Sequence, residues 1–561
     1  MALHSDVLNR YQELKSIREP FLAIWKEVAA RMDPFGEVLR GENDSKQIRV
    51  GDQSRVFSSR PVQSRGRFAA AAQSLVTPAQ TRWHGLMPID EALQDNHEVK
   101  AYAQEMTKIL FKLRYHPMSG WTRANYRIWD SLGTYGTQCF MLEENLQRTP
   151  AGEELPPFRY RYVPMAEICL SVDDWGTYDA AYRRHAMSLR NLAREYGPEA
   201  LPATLRARLD QPQSLEERFW VIHAVDPSLK GVNTKMPYPS VHLLEGYNHV
   251  LRESGYYEFP YFPSAFNPIA NSAYGYGPAM AALPDVKMLN VMVQTTKVAA
   301  EQVVRPAFAT TEKLTHRLKL TAGAINPDLI DKDGRLKIQP LVTGANPSLG
   351  ESLIDKTEAQ IGSTFYEDLW QILVNKPNVT AYEAAQRAQE KGDLIGPPFS
   401  PQEEMMARCV RREVSILERQ ARDGIIALPP KPAILEGREL TLDWLSPMAR
   451  LRRSGEVVGI NQVLQLGAQI EAFSPGVMSR TIDGDEILRT VHELSGAPQK
   501  TIRSRQEVEE RLQAEEEQAA RVRQQQEQTV QLQQAGEAAS LMSTLQEQQQ
   551  QQAQQNRQGG V

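Results

Sequence analysis

The chain has 561 residues, of which 41% are hydrophobic and 24% are charged, a balance typical of a soluble globular protein with several domains. Its formal net charge of -5 at pH 7 argues against a protein that grips DNA over its whole surface, because neutralising phosphates requires a basic patch. No apolar run approaches the roughly 20 residues that cross a bilayer, so we expect no membrane function.

The amino-terminal half alternates helical and strand-like patterns. Apolar residues at intervals of three and four from Ser5 to Met32 predict an amphipathic helix. Its expected buried face comprises Leu8, Tyr11, Leu14, Ile17, Phe21, Ile24 and Val28. Further helices are expected over Arg60–Val76 and Glu91–Arg114, with Trp83 between them as a core residue. Period-two patterns predict strands at Gln138–Glu143, Phe158–Tyr162, Phe219–Val225, His242–Tyr247 and Tyr256–Phe262.

Two long helices of matched length follow. The first begins at Gly277-Pro278 and stops at Pro306. Its apolar positions are Leu283, Val286, Leu289 and Val293, and its polar positions are Lys287, Asn290, Gln294, Lys297 and Glu301. The second runs from Glu351 to Val374, with Ile354, Ile361, Phe365, Leu369 and Ile372 on one stripe. Both would be roughly 40 Å long, which predicts an antiparallel hairpin with one apolar and one polar face.

The insert between these helices carries Asp331-Lys-Asp-Gly334 between apolar runs, a pattern that predicts a β-hairpin turn. The same residues resemble the start of a calcium loop. However, the glycine comes at the fourth position instead of the sixth and no closing glutamate fits. A turn is therefore the better interpretation.

After the hairpin, Asn375-Lys-Pro-Asn-Val379 predicts a loop, because asparagine and proline interrupt both flanking helices. Lys391–Ser400 is a competing candidate for the same loop. Helices are expected at Gln402–Asp423 and over Arg450–Gly496. From Lys500 the chain is rich in glutamine, which predicts one long helix to about Gln548 and a disordered end.

Enzyme signatures are absent from the sequence. There is no GxxxxGK[ST], HExxH or GxSxG, and His242 and His249 lack a completing ligand set. The cysteines Cys139, Cys169 and Cys409 lie far apart without CxxC spacing, which predicts reduced core residues in a cytoplasmic compartment. We therefore expect no enzyme activity, no cofactor and no metal.

One stretch carries a family resemblance. YGYGPAMAALPDVKMLNVMVQTTKVAAEQVVRPAFA, from Tyr274, resembles the signature of portal proteins, the head-to-tail connectors of short-tailed bacteriophages. A second block, Thr380–Glu390 with Leu394–Pro397, resembles the helix that follows the portal stem. Ala265-Phe266 stands where the family has an Arg-Trp pair, and Tyr276 where it has arginine. The resemblance extends from about Arg60 to Glu510.

The resemblance implies a mainly helical α+β portal fold forming a closed ring. The implied regions are a wing (1–277), first stem helix (278–306), clip (307–348), second stem helix (349–374), channel loop (375–380), wing helices (381–447), crown (448–499), C-terminal barrel helix (500–548) and disordered tail (549–561). Implied channel-loop residues are Asn375, Lys376 and Asn378, and the polar stem face would line the channel. Implied clip contacts are Lys313, Arg317, Lys319, Asp331, Lys332, Asp333 and Arg335.

The implied function is a dodecameric ring at one capsid vertex, passing double-stranded DNA without sequence specificity during packaging and ejection. Implied partners are the major capsid protein, the terminase large subunit and tail adaptor proteins, in the virion after assembly in the host cytoplasm. One alternative is a coiled-coil scaffold or internal structural protein of a phage particle that acts through its Gln-rich tail. Another is a nuclease or ATPase of packaging.

Overall fold

The computed structural model describes residues 3–34, 36, 55–94, 96–145, 155–310, 313, 316–327, 329–341, 347–368, 381–495, 502–503 and 505–558. The chain divides into two compact units, Met1–Gln465 and Leu466–Val561. The first unit contains the sheets and the long helical hairpin, and the second is helical.

The region before the hairpin is α+β, as predicted. Its helices are α1 (Leu3–Met32), α2 (Arg60–Val76), α3 (Glu91–Gln94), α4 (His97–Arg114), α5 (Trp121–Tyr135), α6 (Leu189–Tyr196) and α7 (Ala203–Arg206). Its strands are β1 (His84–Pro88), β2 (Thr137–Glu144), β3 (Phe158–Tyr162), β4 (Ile168–Val172), β5 (Tyr178–Ser188), β6 (Arg218–Val225), β7 (Tyr238–Leu244), β8 (His249–Tyr256), β9 (Tyr261–Ala265), β10 (Asn267–Pro268) and β11 (Gly275–Tyr276).

The hairpin and the region after it supply the remaining elements. These are α8 (Pro278–Val304), β12 (Phe308–Thr310), β13 (Ile338–Pro340), α9 (Pro347–Thr364), α10 (Ala381–Arg422), β14 (Leu440–Trp444), α11 (Pro447–Phe473), α12 (Val477–Thr481), α13 (Gly484–Ser495) and α14 (Arg505–Gln558). The glutamine-rich helix α14 therefore continues past the predicted end at Gln548, because glutamine is itself a good helix former.

The two largest sheets are antiparallel, and three two-stranded sheets accompany them in the described part of the chain. Of the two largest sheets, one has the order β4-β5-β6-β7-β8 and the other the order β3-β2-β9. The predicted strand His242–Tyr247 is wrong at its end, because β7 stops at Leu244 and a turn with Gly246 at φ +83° leads into β8. Likewise Tyr256–Phe262 is divided between β8 and β9. A third pairing, β1 with β14, joins the start of the unit to residues far along the chain.

The buried face of α1 differs from the prediction. Ile17 and Ile24 are exposed, whereas Arg18, Leu22 and Trp25 are buried. The Arg18 guanidinium donates hydrogen bonds to the carbonyls of β4 and the preceding turn, at 2.9 Å to Ala166 and 3.0 Å to Ile168. Arg18, which the apolar periodicity would place at the surface, is therefore buried, because backbone oxygens accept hydrogen bonds from its guanidinium.

Helix α5 lies at the centre of the first unit. Trp121, Ile128 and Trp129 are fully buried, and Trp83 is a core residue as expected. Trp83 and Trp121 belong to one core with α4 and α10, whereas Trp129 belongs to a second core with α2, α8 and α9. All three cysteines are buried thiols.

Candidate functional site

Helix α8 begins where two glycines allow backbones to touch. Gly136 ends α5 with φ +68°, and a Cβ added to Gly277 would lie 2.6 Å from the carbonyl oxygen of Leu132. Pro278 then occupies the first turn of α8, where its missing N–H costs nothing. The Gly277-Pro278 helix start predicted from the sequence is confirmed.

Helices α8 and α9 form the predicted antiparallel hairpin, but the predicted matched length is wrong, because α9 ends at Thr364 instead of Val374 and a turn with Tyr366 at φ +61° follows it. At one level, a Cβ on Gly350 would lie 2.5 Å from the Thr296 hydroxyl. At another, Ser58 bridges the helices, because its N–H donates to Asn290 Oδ1 at 3.4 Å and its hydroxyl donates to Glu358 at 3.0 Å. The numbering therefore rises along one helix as it falls along the other.

The apolar face of the hairpin agrees with the prediction where it is described. Val286, Leu289 and Val293 are buried, and they pack in the same core as Ile361 of α9 and Phe365, which follows that helix. Leu283 and Ile354 are partly buried against that core. Leu369 and Ile372 lie outside the described residues.

The five predicted polar-face residues divide into two groups. Gln294, Lys297 and Glu301 are exposed, and so is Lys287, which also pairs with Glu27 of α1 at 3.0 Å. Asn290 is only 7% exposed, and its Oδ1 also accepts a hydrogen bond from the Phe57 N–H at 3.0 Å. The prediction that Asn290 is exposed is therefore wrong, because the segment before α2 folds over that turn of α8.

Sequence reasoning missed a second exposed stripe on α8. Met288, Val291 and Val298 are 49%, 59% and 49% exposed. They recur at intervals that place them on one side of the helix. Their helical spacing can be read from the sequence, but polar residues between them concealed it.

The predicted clip begins as a short antiparallel ladder. Strands β12 and β13 pair Phe308 with Pro340 and Thr310 with Ile338. Farther out, the Gly334 N–H donates to the Asp331 carbonyl at 2.9 Å, and Gly334 has φ +76°. The predicted hairpin turn is confirmed.

The seven predicted clip residues are all exposed. A cavity of about 720 Å³ lies between the turn and the preceding loop, and Lys313, Arg317, Lys319, Asp331 and Lys332 are among its lining residues. Asp333 and Arg335 are outside that lining. The predicted clip residues thus include a basic group that lines this cavity and a second group that does not.

The predicted channel-loop residues Asn375, Lys376 and Asn378 lie outside the described residues, but both flanks are placed. Before the loop, Glu367 accepts a hydrogen bond from Arg60 at 2.7 Å and pairs with Arg67 at 3.3 Å. Both arginines belong to α2. The last described residues of the hairpin are therefore held against the core.

The competing loop Lys391–Ser400 is wrong, because these residues are helical within α10. Phe399 is 1% exposed, and its ring centroid lies 6.4 Å from that of Phe68 and 5.8 Å from that of Trp129. Burial of this aromatic ring holds the helix in place despite Pro397 and Pro398, which sequence rules treat as breakers.

A polar network that sequence reasoning missed fastens α10 to the sheets. Glu413 is buried beside Arg114 and Tyr160, and Arg114 lies 2.7 Å from His84. The adjacent residue, Arg412, donates to the Glu258 carboxylate at 3.0 Å. Glu413 is 299 positions from Arg114 and 253 from Tyr160, so no local pattern marks these contacts.

The histidines have structural roles. His223 and His242 stack with ring centroids 4.0 Å apart, and burial holds the pKa of both well below the ordinary value. His249 contacts the Ala200 carbonyl at 2.9 Å. Among the described residues, no group of three or more His, Cys, Asp or Glu side chains is placed to hold a metal ion. No helix in the described part of the chain has the length and apolarity to cross a membrane.

Comparison with known proteins gives the following matches. The family model described as bacteriophage head to tail connecting protein matches residues 4–502. The "Probable portal protein" of Bordetella phage BPP-1 is 25% identical over 523 residues, covering 87% of each chain. The "Portal protein" of Salmonella phage epsilon15 is 23% identical over 522 residues, covering 90% of this chain and 89% of that one.

Solved structures also match this chain at low similarity. One is titled "Neck of native GTA particle computed with C12 symmetry". It is 12% identical with a TM-score of 0.36, covering 82% of this chain and 95% of that one.

Proposed function

We propose that this chain, which belongs to the bacteriophage head to tail connecting protein family, assembles into a closed ring of twelve copies at one vertex of a phage capsid. It is a structural component of the virion at the junction of head and tail and, as predicted, not an enzyme. The ring is a channel through which double-stranded DNA enters the head during packaging and leaves it during ejection.

The observation that carries this proposal is the α8–α9 hairpin. It holds one apolar face in the core while leaving polar residues of α8 exposed toward the clip end, at Gln294, Lys297 and Glu301. Copies of such a hairpin arranged around an axis provide a hydrated channel lining that carries both positive and negative side chains. A lining of this kind suits a channel through which DNA of any sequence must slide.

The exposed apolar stripe of α8 supports ring closure. Met288, Val291 and Val298 are each about half exposed in the single chain. Contact with a neighbouring copy would bury this surface, at a gain of roughly 25 cal/mol per Å² of apolar area. A head-to-tail contact of this kind closes into a ring when its rotation closes.

The channel loop is proposed at 375–380. Lys376 from every copy would form a ring of positive charge around DNA that carries one negative charge per roughly 1.7 Å of axis. Asn375 and Asn378 can donate hydrogen bonds to phosphate oxygens, which position DNA without reading its sequence. On the two sides of the proposed loop, Glu367 is paired with Arg60 and Phe399 is buried.

The partners are assigned by region. The clip, with its exposed charged residues, is the docking site for the terminase large subunit and afterwards for tail adaptor proteins. The α+β wing faces the major capsid protein. The scaffold alternative places function in the Gln-rich tail, whereas the family match covers residues 4–502 and so lies in the body of the chain.

Electron microscopy of the purified protein tests the proposal. Rings with a central hole are the expected result. Rods in place of rings would support the coiled-coil scaffold, and metal-dependent cutting of a DNA duplex by the same preparation would support a packaging nuclease.

A further inference from the structure

We propose that the cavity in the clip is a receptor for an extended acidic peptide with interspersed aliphatic side chains, presented by the protein that docks there. This inference rests on the proposed function, since it specifies the chemistry by which the clip recognises a partner. The cavity, here called the clip cleft, lies between the loop Lys319–Asn326 and the hairpin that turns at Asp331–Gly334.

The walls of the clip cleft are held by the clip's own hydrogen bonds. The Asn326 side chain closes the loop, because its amide donates to the Lys319 carbonyl at 2.8 Å and its oxygen accepts from the Lys319 N–H at 2.8 Å. On the opposite wall, the Asp331 N–H donates to the Arg335 carbonyl at 2.8 Å. At about 720 Å³ the cleft falls within the roughly 300–1,000 Å³ typical of ligand sites.

The charge of the clip cleft is opposite to that of the whole chain. Arg317, Lys319, Lys332 and Lys337 line it, and Asp331 is the acidic side chain among the described lining residues. The chain as a whole carries a net charge of -5. Concentrating lysine and arginine at one concave surface of an acidic protein favours a carboxylate-rich ligand by complementary potential.

Exposed aliphatic side chains select a peptide over a nucleic acid. Ile325 and Ile330 line the clip cleft and are 86% and 63% exposed, and Leu336 beside it is 66% exposed. Aliphatic side chains provide no favourable contact for a charged phosphate backbone. Unpaired bases stack on aromatic rings, and no Phe, Tyr or Trp occurs among the described lining residues. A peptide that alternates carboxylates with leucine or isoleucine satisfies both features.

The test uses the purified full-length chain and a fluorescein-labelled peptide of alternating glutamate and leucine, with binding followed by anisotropy at low salt. A peptide of alternating lysine and leucine and a short DNA duplex are measured beside it. The double variant Arg317→Glu/Lys319→Glu reverses two charges in the cleft. Arg305→Glu makes the same change at an exposed position outside it.

Saturable binding of the glutamate peptide, weakened about tenfold or more by the double variant and unchanged by Arg305→Glu, is the expected result. Binding should also weaken as salt rises, because the cleft is open to solvent. No saturable binding, or equal loss in both variants, would overturn the proposal. So would a duplex that binds more tightly than the peptide and is lost in the double variant.

Micrographs of the same samples separate this proposal from the function on which it rests. Intact rings that do not bind the glutamate peptide would overturn the proposal for the clip cleft. The proposed connector function would not be affected. Peptide binding by a preparation without rings would support the cleft and count against the ring.

Discussion

Arg114 and Glu413 pair in the interior of the protein, each with about 1% of its side chain exposed, although they are 299 positions apart in sequence. The Arg114 guanidinium also lies 4.8 Å from the Trp83 ring centroid. Burial alone would lower the pKa of Arg114, but the Glu413 carboxylate raises it above the ordinary value, so Arg114 stays charged. The contact fastens α10, which follows the proposed channel loop, to the helices of the amino-terminal region.

Glu413→Ala should destabilise the first unit by about 3–5 kcal/mol, because it leaves the Arg114 charge buried without compensation. Tryptophan fluorescence during urea unfolding is a suitable measurement, since Trp83 and Trp121 adjoin the pair. The double variant Arg114→Met/Glu413→Leu should recover most of the loss, because no charge then remains buried. A single variant as stable as the parent would contradict the importance of this contact.

Stability should fall on the acid side because of His185, His223 and His242, which burial and nearby arginines keep neutral. In the unfolded chain they take up protons below about pH 6.5, whereas the pKa of His242 in the folded protein is about 3. The unfolded state thus binds more protons in this window. The contribution of these histidines to the free energy of unfolding is complete above pH 6.5. It decreases by up to about 1.4 kcal/mol per pH unit for each histidine as the pH falls toward 3.

Urea midpoints measured between pH 7 and pH 4 give this slope. His242→Gln should reduce this slope by an amount that corresponds to about one proton. The exposed His116→Gln is the control for replacing a histidine outside the cluster. Identical slopes for all three proteins would show that this cluster does not control the acid response.

Replacing residues 311–337 with Asn-Gly should spare the ring and abolish docking of terminase and tail adaptor. Thr310 and Ile338 face each other across the β12–β13 ladder, so a two-residue turn closes it with little strain. Ring formation is scored by microscopy and docking by co-sedimentation with each partner. Normal packaging by this variant would refute the clip as the docking site.

Lys376→Glu should leave folding and rings unchanged while packaged genomes are retained less well. Exposed charges are screened by salt, so the defect should shrink as ionic strength rises. Lys230→Glu, an exposed lysine of the wing region, is the matched control. Full retention of DNA at low salt by the Lys376 variant would remove this loop from the channel.

Truncation after Arg503 should leave ring assembly intact. The described apolar side chains of α14, such as Leu512, Val522 and Leu541, are more than half exposed and widely spaced. They can bury too little area to dominate an interface. Loss of rings in the truncated protein would assign the glutamine-rich helix a role in assembly.

The sequence by itself determined the central hairpin, the Gly277-Pro278 helix start and the Asp331–Gly334 turn. Helical periodicity, proline at a first turn and glycine at positive φ are local rules that neighbouring residues satisfy without help from the rest of the fold. The family signature lies in this same stretch, which is why the family was recognisable from it.

Only the tertiary structure decided where long-range contacts override those rules. Asn290 is buried because residues near 58 fold over α8, and Arg18 is buried because β4 offers it carbonyl oxygens. Phe399 keeps α10 helical through two prolines, because its ring fills a core built by α2 and α5. The clip cleft likewise exists only when the loop closed by Asn326 and the turn at Gly334 stand opposite each other, a relation that no spacing along the chain encodes.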